Sequence, residues 1–209
     1  MNTIDLGRIP YEAAVEEMKS VLAARIAGDA PDTLLFCEHD PVYTVGRTRG
    51  AAENILNPEN VPIVNVSRGG DVTFHGPGQI VGYPIFQLPE HRHDLHGYLR
   101  GLEEVMIRTL ARYKVLGERD DRNTGVWVNG QKMGAIGIAA KRWVTWHGFA
   151  LNCTVDIRHY QRINPCGMTS DLVTSLHRHL DPCPSREEVM AAITDELAQW
   201  WGDWTAEAG

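Results

Sequence analysis

The periodicity of apolar residues predicts three helices along this chain. Residues 10–28 begin at a proline, end at a glycine and carry one apolar helical face, formed by Val15, Met18, Leu22 and Ile26. Residues 94–115 carry a longer apolar face, formed by Leu95, Leu99, Leu102, Met106, Leu110 and Tyr113. Near the other end, Ser185 and Glu188 form a capping-box pattern ahead of an apolar-patterned segment that reaches Trp201, which predicts a third helix.

Short runs rich in β-branched and aromatic residues lie between these helices and predict strands. The runs are DTLLFCEH (32–39), PVYTVG (41–46), VPIVNVS (61–67), VTFH (72–75), QIVGYPIF (79–86) and RWVTWHGFALN (142–152). Asn129-Gly130 is a strong hairpin signal and predicts that strand 125–128 pairs with strand 131–139. Because the strands are clustered and do not alternate regularly with helices, we expect an α+β fold, a single domain over 1–209 with helices packed on a mixed or mainly antiparallel sheet.

Composition narrows the function classes. The chain has 209 residues, of which 43% are hydrophobic, enough for the core of one domain. A formal net charge of −7 argues against a nucleic-acid partner held by phosphate attraction. There is no apolar run of about 18 residues and no signal-peptide pattern, so we expect no membrane association and a cytoplasmic location.

The segment SRGGDVTFHGPGQ (67–79) contains glycines at 69, 70, 76 and 78. Such a bare backbone suits a tight turn followed by a hairpin, and it also suits a main chain against which a ligand lies. Arg68, Thr73 and His75 supply polar groups that a ligand could contact. The segment alone leaves both interpretations open.

The four cysteines show no CxxC spacing, so we expect free thiols and no structural zinc. Cys37 and Cys153 lie in apolar strand-like runs. Cys166 differs because it lies in the irregular sequence INPCG, between Pro165 and Gly167, which makes it the candidate nucleophile. A nucleophilic thiol needs a group that favours its thiolate, and Lys132, which heads the small-residue run KMGAIGIAA, is one candidate. The alternative is an ordinary solvated lysine at a hairpin mouth.

Histidines are frequent enough to raise the question of a metal. The close groups HRHDLH (91–96) and HRH (177–179) are interpreted as solvated segments, so no metal is expected. His75 and His147 each precede a glycine beside a predicted strand, and they are candidate pocket residues.

Four motifs, in this order and spacing, resemble the lipoyl(octanoyl) transferases, also called the lipoate-protein ligase B family. The motifs are SRGGDVTFHGPGQIVGYPI, GQKMGAIGI, HGFALN and INPCG. EHDPVYTVGR (38–47) is similar to the N-terminal motif of the family. The resemblance extends from about residue 32 to about residue 176. Met133-Gly134 replaces the more usual Ile-Ala, a change that keeps the strand apolar and small.

The resemblance implies the fold of biotin protein ligase and lipoate ligase catalytic domains, and the activity of an octanoyl-[acyl-carrier-protein]:protein N-octanoyltransferase. Its partners would be octanoyl-acyl carrier protein and the lipoyl domains of 2-oxoacid dehydrogenase E2 subunits and glycine cleavage H protein, with no cofactor. It implies that Cys166 carries the acyl group as a thioester and that Lys132 lowers the pKa of this thiol. The substrate-binding positions that it implies are Arg68, Gly69, Gly70, Asp71, Val72, Thr73, Phe74, His75, Ala135, Ile136, Gly137, Gly148, Phe149 and Ala150.

Two other classes of protein are alternatives to a transferase. GRTRG at 46–50 echoes the glycine-arginine loop of ATP-dependent biotin ligases, which activate an acid as an adenylate and need no nucleophilic thiol. A catalytically silent protein that binds lipoyl domains would need neither Cys166 nor Lys132. Because the expected partners are acidic, we also expect a local basic docking surface, with Arg47, Arg49, Lys141, Arg142, Arg158 and Arg162 as its candidates.

Overall fold

The computed structural model describes residues 1–164 and 172–206. The candidate nucleophile Cys166 therefore lies outside the described residues. The three predicted helices are present as α1 (Tyr11–Ala27), α2 (Leu95–Arg112) and α3 (Arg186–Thr205). Short 3-10 helices are found at Ala51–Asn54, Glu90–Arg92, Ile157–Arg162 and Leu176–Arg178.

The helix ends follow from their capping residues. Asp94 caps α2 by accepting hydrogen bonds from the backbone of His96 and Gly97. Ser185 and Glu188 form both bonds of the predicted capping box of α3. Gly28, at φ 85°, ends α1 in the left-handed conformation that glycine favours.

Nine strands are present in the described part of the chain. They are β1 (Asn2–Ile9), β2 (Thr33–His39), β3 (Val42–Val45), β4 (Ile63–Asn65), β5 (Val72–His75), β6 (Gln79–Ile85), β7 (Gly125–Val128), β8 (Gln131–Lys141) and β9 (Val144–Asn152). The predicted Asn129-Gly130 hairpin joins β7 to β8. The strand predicted at 142–152 begins later because Arg142 and Trp143, at φ 52° and 60°, form the turn that precedes it.

The strands form two mixed sheets. One sheet has six strands in the order β1-β2-β6-β9-β8-β7, and the other has three in the order β4-β3-β5. Pairs β1–β2 and β3–β4 are parallel, and the remaining pairs are antiparallel. The α+β class with a mixed sheet and packed helices is as predicted.

Strand β1 was not predicted, and its burial explains why. It pairs with β2 on one side only, and its residues are exposed or half-buried. An edge strand that buries no full face leaves no period-2 apolar pattern in the sequence.

Helices cover both faces of the six-stranded sheet. Alternate residues of β2 join different apolar clusters: Leu34 and Phe36 pack with α2 and α3, whereas Leu35 and Cys37 pack with α1. The buried side of α2 is wider than its predicted stripe because α2 packs on both the sheet and α3. Leu99, predicted on that stripe, is half-buried and lines the cleft described below.

Candidate active site

A cleft of about 640 Å³ is lined by the glycine-rich segment, by β8 and by β9. It thus brings together three sequence segments that the resemblance assigned to substrate binding. The predicted residues that line it are Arg68, Gly69, Gly70, Asp71, Val72, Thr73, His75, Lys132, Ala135, Ile136, Gly137, Gly148, Phe149 and Ala150.

Phe74 is the predicted residue, among those that the structure describes, that does not line this cleft. Its side chain is fully buried, and its ring stacks on His159 at 4.3 Å between centroids. It also packs edge-on against Tyr160. Along β5 successive side chains point to opposite sides, so Phe74 points into the core while Thr73 and His75 contribute to the cleft wall.

The glycines of the segment serve different purposes. Gly78, at φ 82°, adopts a conformation that side chains disfavour. Its carbonyl oxygen accepts a hydrogen bond from the backbone N–H of Thr154. Gly69 donates its N–H to the carbonyl of Ile138 at 2.9 Å, which holds the segment against β8. On β8, a Cβ at Gly137 would lie 2.8 Å from Arg68 Cδ. The bare backbone therefore makes a turn at one end and allows close approach of two chain segments at the other.

Arg68 and Asp71 hold the segment in place. The Arg68 guanidinium is buried and donates to both Thr44 O at 3.0 Å and Thr44 Oγ1 at 2.8 Å. The Asp71 carboxylate accepts from the backbone N–H of Val72 at 2.6 Å and from Asn54 Nδ2 at 2.8 Å. These contacts build a rigid, charged wall beside the strands.

Lys132 is half-buried and points along the cleft. Its Nζ donates to Asn123 Oδ1 at 2.7 Å. The side chain passes Gly125, where a Cβ would lie 2.7 Å from Lys132 Cε, and Gly125 has a φ of 143°. This ordered path distinguishes Lys132 from a solvated hairpin lysine.

A buried carboxylate positions the loop that carries Asn123. Glu103 lies on α2 with a side chain only 1% exposed, and its Oε1 accepts from the backbone N–H of Gly125 at 2.9 Å. Its Oε2 pairs with Arg119 at 3.1 Å and with Arg100 at 2.9 Å. Sequence reasoning missed Glu103 and Asn123, although an acidic residue four positions after Leu99 on an apolar stripe was a usable signal.

The chain on either side of residues 165–171 is anchored by backbone hydrogen bonds, and on the following side the anchor is at the cleft. Before them, the backbone N–H of Asn164 donates to Asn54 O at 2.7 Å. After them, Val173 forms a parallel bridge with Lys132, and Val173 also lines the cleft. Cys166 is outside the described residues, but the chain that follows it returns to the backbone of Lys132.

Buried histidines and tyrosines form the polar end of the cleft wall, and His39 packs behind it. His39 Nε2 lies 2.7 Å from the Tyr83 hydroxyl, and its Nδ1 lies 3.0 Å from Ile9 O. Tyr11 stacks on His75 with 6.0 Å between ring centroids. Tyr11, His39 and Tyr83 were not predicted, since each falls within or next to an apolar run that predicts only a strand or helix.

The two candidate pocket histidines are both in the cleft wall. Burial, together with the Arg68 guanidinium, lowers the pKa of His147 to about 4, and its Nε2 lies 3.0 Å from Ser67 Oγ. Burial lowers the pKa of His75 to about 3. Both rings are therefore neutral at physiological pH.

The described cysteines are packing residues. Cys37 and Cys153 are buried, and Cys183 is half-buried. Burial raises the pKa of Cys37, and it raises that of Cys153 to about 12. These thiols are protonated at neutral pH and poorly suited to nucleophilic attack.

The described residues contain neither a metal-binding cluster nor a membrane-spanning helix. Histidine, cysteine and acidic side chains within 1–164 and 172–206 form no group of three or more that could hold a metal ion. None of the described helices combines the length and apolar character needed to cross a membrane.

The candidate docking cations fall into two groups. Arg47, Arg49, Lys141 and Arg142 are exposed and form no ion pair with any described residue. Arg158 is paired with Asp156 at 2.6 Å, and Arg162 is paired with Glu59 at 2.7 Å. Only the first group keeps its charge fully available to a partner.

Comparison with protein families places the site in a known context. Residues 10–198 match the family described as the lipoyl protein ligase A/B catalytic domain. An octanoyltransferase of Geobacter metallireducens is 48% identical over 172 residues, covering 82% of this chain and 80% of that protein. An octanoyltransferase of Gloeobacter violaceus is 44% identical over 200 residues, covering 95% of this chain and 89% of that protein.

Solved structures share the fold at low identity. A lipoate-protein ligase A bound with ATP has a TM-score of 0.75 at 15% identity, covering 96% of this chain and 85% of that one. The lipoate protein ligase of Thermoplasma acidophilum, described with its E2 lipoyl domain, has a TM-score of 0.74 at 15% identity, with 96% and 84% covered. A biotin protein ligase of Aquifex aeolicus with biotin and ATP has a TM-score of 0.63 at 13% identity, with 98% and 72% covered.

Proposed function

The chain belongs to the lipoyl protein ligase A/B catalytic-domain family as an octanoyltransferase, and we propose that it transfers the octanoyl group through a thioester on Cys166. The observation that carries this proposal is the bridge between Val173 and Lys132, because it brings the chain that follows residues 165–171 to the ordered lysine of the cleft. On this proposal the Cys166 thiol and the Lys132 ammonium act together as an activated nucleophile.

The proposed donor is octanoyl-acyl carrier protein, and the proposed acceptors are the lipoyl domains of 2-oxoacid dehydrogenase E2 subunits and the glycine cleavage H protein. The structural relative of Thermoplasma acidophilum that is described with an E2 lipoyl domain supports the choice of acceptor. The exposed cations Arg47, Arg49, Lys141 and Arg142 supply a surface for acidic partners.

In the first half-reaction the Cys166 thiolate attacks the carbonyl carbon of the donor thioester. The bond from that carbon to the carrier sulfur breaks, and the carrier leaves as a thiolate that takes a proton from the Lys132 ammonium, which leaves that amine neutral until the second half-reaction. The Lys132 ammonium favours the Cys166 thiolate by charge attraction, and Asn123 holds that ammonium in place. One thioester replaces another, so the step needs no activation of the acyl group.

The acyl chain is proposed to lie along β8 and β9. Ala135 and Ala150 are paired in the register of these strands, and Gly137 follows on the same strand. Their small side chains leave room for an alkyl chain. Each buried methylene stabilises the complex by about 0.8 kcal/mol, so an octanoyl chain gains roughly 5 kcal/mol, enough to discriminate against short chains.

In the second half-reaction the amine of the acceptor lysine attacks the carbonyl carbon of the acyl-enzyme. A carbon–nitrogen bond forms, the carbon–sulfur bond breaks, and Cys166 leaves as the thiolate. The attacking nitrogen loses one proton, which the Cys166–Lys132 pair accepts. The enzyme thereby returns to its starting state.

Intact mass spectrometry tests this function. Incubation with octanoyl carrier protein, without ATP, should add one octanoyl group to the enzyme, and the lipoyl domain should then remove it. Peptide mapping should then find the added octanoyl group on the peptide that contains Cys166. An enzyme that transfers free octanoate only when ATP is supplied, and never carries an acyl group, would instead be an ATP-dependent ligase.

The proposed setting is the cytoplasm. Cys37, Cys153 and Cys183 are all free thiols, as expected where glutathione and thioredoxin keep cysteines reduced. We also propose that 1–209 acts as one catalytic domain, since the family match covers 10–198 without a break.

A further inference from the structure

A chain of hydrogen bonds in the cleft wall begins at a main-chain carbonyl. Asn152 Nδ2 donates to Thr174 O at 3.0 Å. A carbonyl oxygen only accepts hydrogen bonds, so the amide nitrogen of Asn152 must face Thr174 and its Oδ1 must face the other way. The main chain therefore fixes the orientation of the Asn152 amide.

The next side chain in the network is Gln79. Its Nε2 donates to Asn152 Oδ1 at 2.9 Å and to Phe74 O at 3.2 Å. Neither oxygen can donate, so the amide nitrogen of Gln79 lies on their side and Oε1 lies opposite. This Oε1 is 2.7 Å from His75 Nδ1, and it also only accepts. His75 must therefore carry a hydrogen on Nδ1.

A neutral imidazole with hydrogen on Nδ1 has a lone pair on Nε2. His75 lines the cleft, and none of the described residues bonds to its Nε2. Burial, with smaller contributions from the nearby His39, Arg68 and His147, lowers its pKa to about 3, and the Tyr11 ring stacks on its face. The cleft thus contains a neutral acceptor nitrogen that the surrounding network keeps in one tautomer.

We propose that Nε2 of His75 accepts a hydrogen bond from a substrate N–H group, and that Gln79 and Asn152 are positioning residues that keep this nitrogen unprotonated. This inference rests on the proposed function, which brings two N–H donors to the cleft. One is the amide nearest the thioester in the carrier arm, and the other is the amine of the acceptor lysine. With so low a pKa, His75 orients the N–H group, and the proton itself leaves to the Cys166–Lys132 pair.

The tautomer can be measured directly on the wild-type enzyme. Long-range ¹H–¹⁵N spectra of protein labelled at histidine distinguish protonated from unprotonated ring nitrogens, and loss of signals in His75→Phe assigns the ring. We expect Nδ1 protonated and Nε2 unprotonated across about pH 5 to 8. A ring with hydrogen on Nε2 would overturn the proposal.

Single-turnover kinetics of His75→Phe identify the donor. The phenyl ring keeps the packing against Tyr11 but removes the acceptor, so one half-reaction should slow roughly tenfold, the effect of one lost hydrogen bond. Slower acyl-enzyme formation points to the carrier amide, and slower transfer to the lipoyl domain points to the amine. Ile193→Val, in the buried core away from the cleft, controls for lost stability. If His75→Phe runs both half-reactions at the wild-type rates, the proposal is wrong.

Gln79→Glu tests the positioning role through pH. A carboxylate at 79 would favour the imidazolium and raise the pKa of His75, so Nε2 would become a donor below that pKa. As pH falls through the raised pKa, the affected half-reaction should therefore lose rate more steeply than in the wild type, whose rate falls only with protonation of the attacking thiolate or amine. Matching pH profiles in a folded variant would remove Gln79 from this role. If Gln79→Glu does not fold, the proposal is tested by the tautomer of His75 in the wild type and by the half-reaction rates of His75→Phe.

The failure of this inference differs from failure of the proposed function. An enzyme that never acquires an acyl group on Cys166 contradicts the function itself. An enzyme that forms and discharges the acyl group equally fast with or without the His75 acceptor contradicts only the role of His75.

Discussion

Thr174 donates its backbone N–H to the carbonyl of Lys132 at 3.0 Å. This bond places the chain that follows residues 165–171 directly on the strand that carries the cleft lysine. Lys132 is also held through its side chain by Asn123. The lysine is thus fixed at both its backbone and its ammonium, as its proposed role of electrostatic partner to the Cys166 thiolate requires.

Replacing Cys166 with alanine or serine should abolish octanoyl transfer and leave the fold intact. Alanine removes the nucleophile, and serine replaces a thiol by a hydroxyl that Lys132 cannot ionise at neutral pH. Intact mass should show no acyl-enzyme, and circular dichroism should be unchanged. Cys183→Ser, which alters a half-buried thiol, is the matched control and should retain transfer. Full activity in Cys166→Ala would end the thioester mechanism.

Replacing Lys132 with methionine should raise the thiol pKa of Cys166, because the charge that favours the thiolate is lost. Alkylation of Cys166 by iodoacetamide at neutral pH should then slow by about tenfold or more. Lys132→Arg keeps the charge but cannot act as a neutral base, so it should restore acyl-enzyme formation in part and transfer to the lipoyl domain much less. If the pH dependence of alkylation were unchanged in Lys132→Met, Lys132 would have no effect on the ionisation of Cys166.

Replacing Glu103 with alanine should destabilise the protein by about 1–3 kcal/mol, because the buried backbone N–H of Gly125 loses its acceptor. Glu104→Ala is the matched control on the same helix. Its side chain is 30% exposed, and surface pairs contribute about 0–1 kcal/mol. Urea unfolding measures both values. Similar losses in the two variants would show that Glu103 has no special role in holding the loop of Asn123.

Reversing two exposed cations, Arg47→Glu with Lys141→Glu, should slow association with the carrier protein and weaken its dependence on salt. Arg158→Glu is the control because Asp156 already neutralises Arg158. Stopped-flow association at several ionic strengths measures the effect. If carrier binding responded equally to both variants, or to neither, the docking surface would lie elsewhere.

Local patterns in the sequence were sufficient for most of the fold. The capping box at Ser185, the hairpin at Asn129-Gly130 and the apolar faces of the helices are found where they were predicted. These features depend on residues close in the chain, whose spacing is visible without a structure. The family was identified from motifs in the same way.

The contacts that build the cleft depend on residues far apart in the chain, and only the tertiary structure revealed them. Strand β1 buries no full face and left no pattern. Phe74 was predicted in the cleft with its neighbours, yet the alternation of β5 turns it into the core. Asn123 reaches the cleft on a loop that Glu103 of α2 holds in place, and His75 acquires its tautomer from Gln79, Asn152 and Thr174. Sequence spacing predicts which face of an element is apolar, but the packing of the elements decides which polar groups meet across that face.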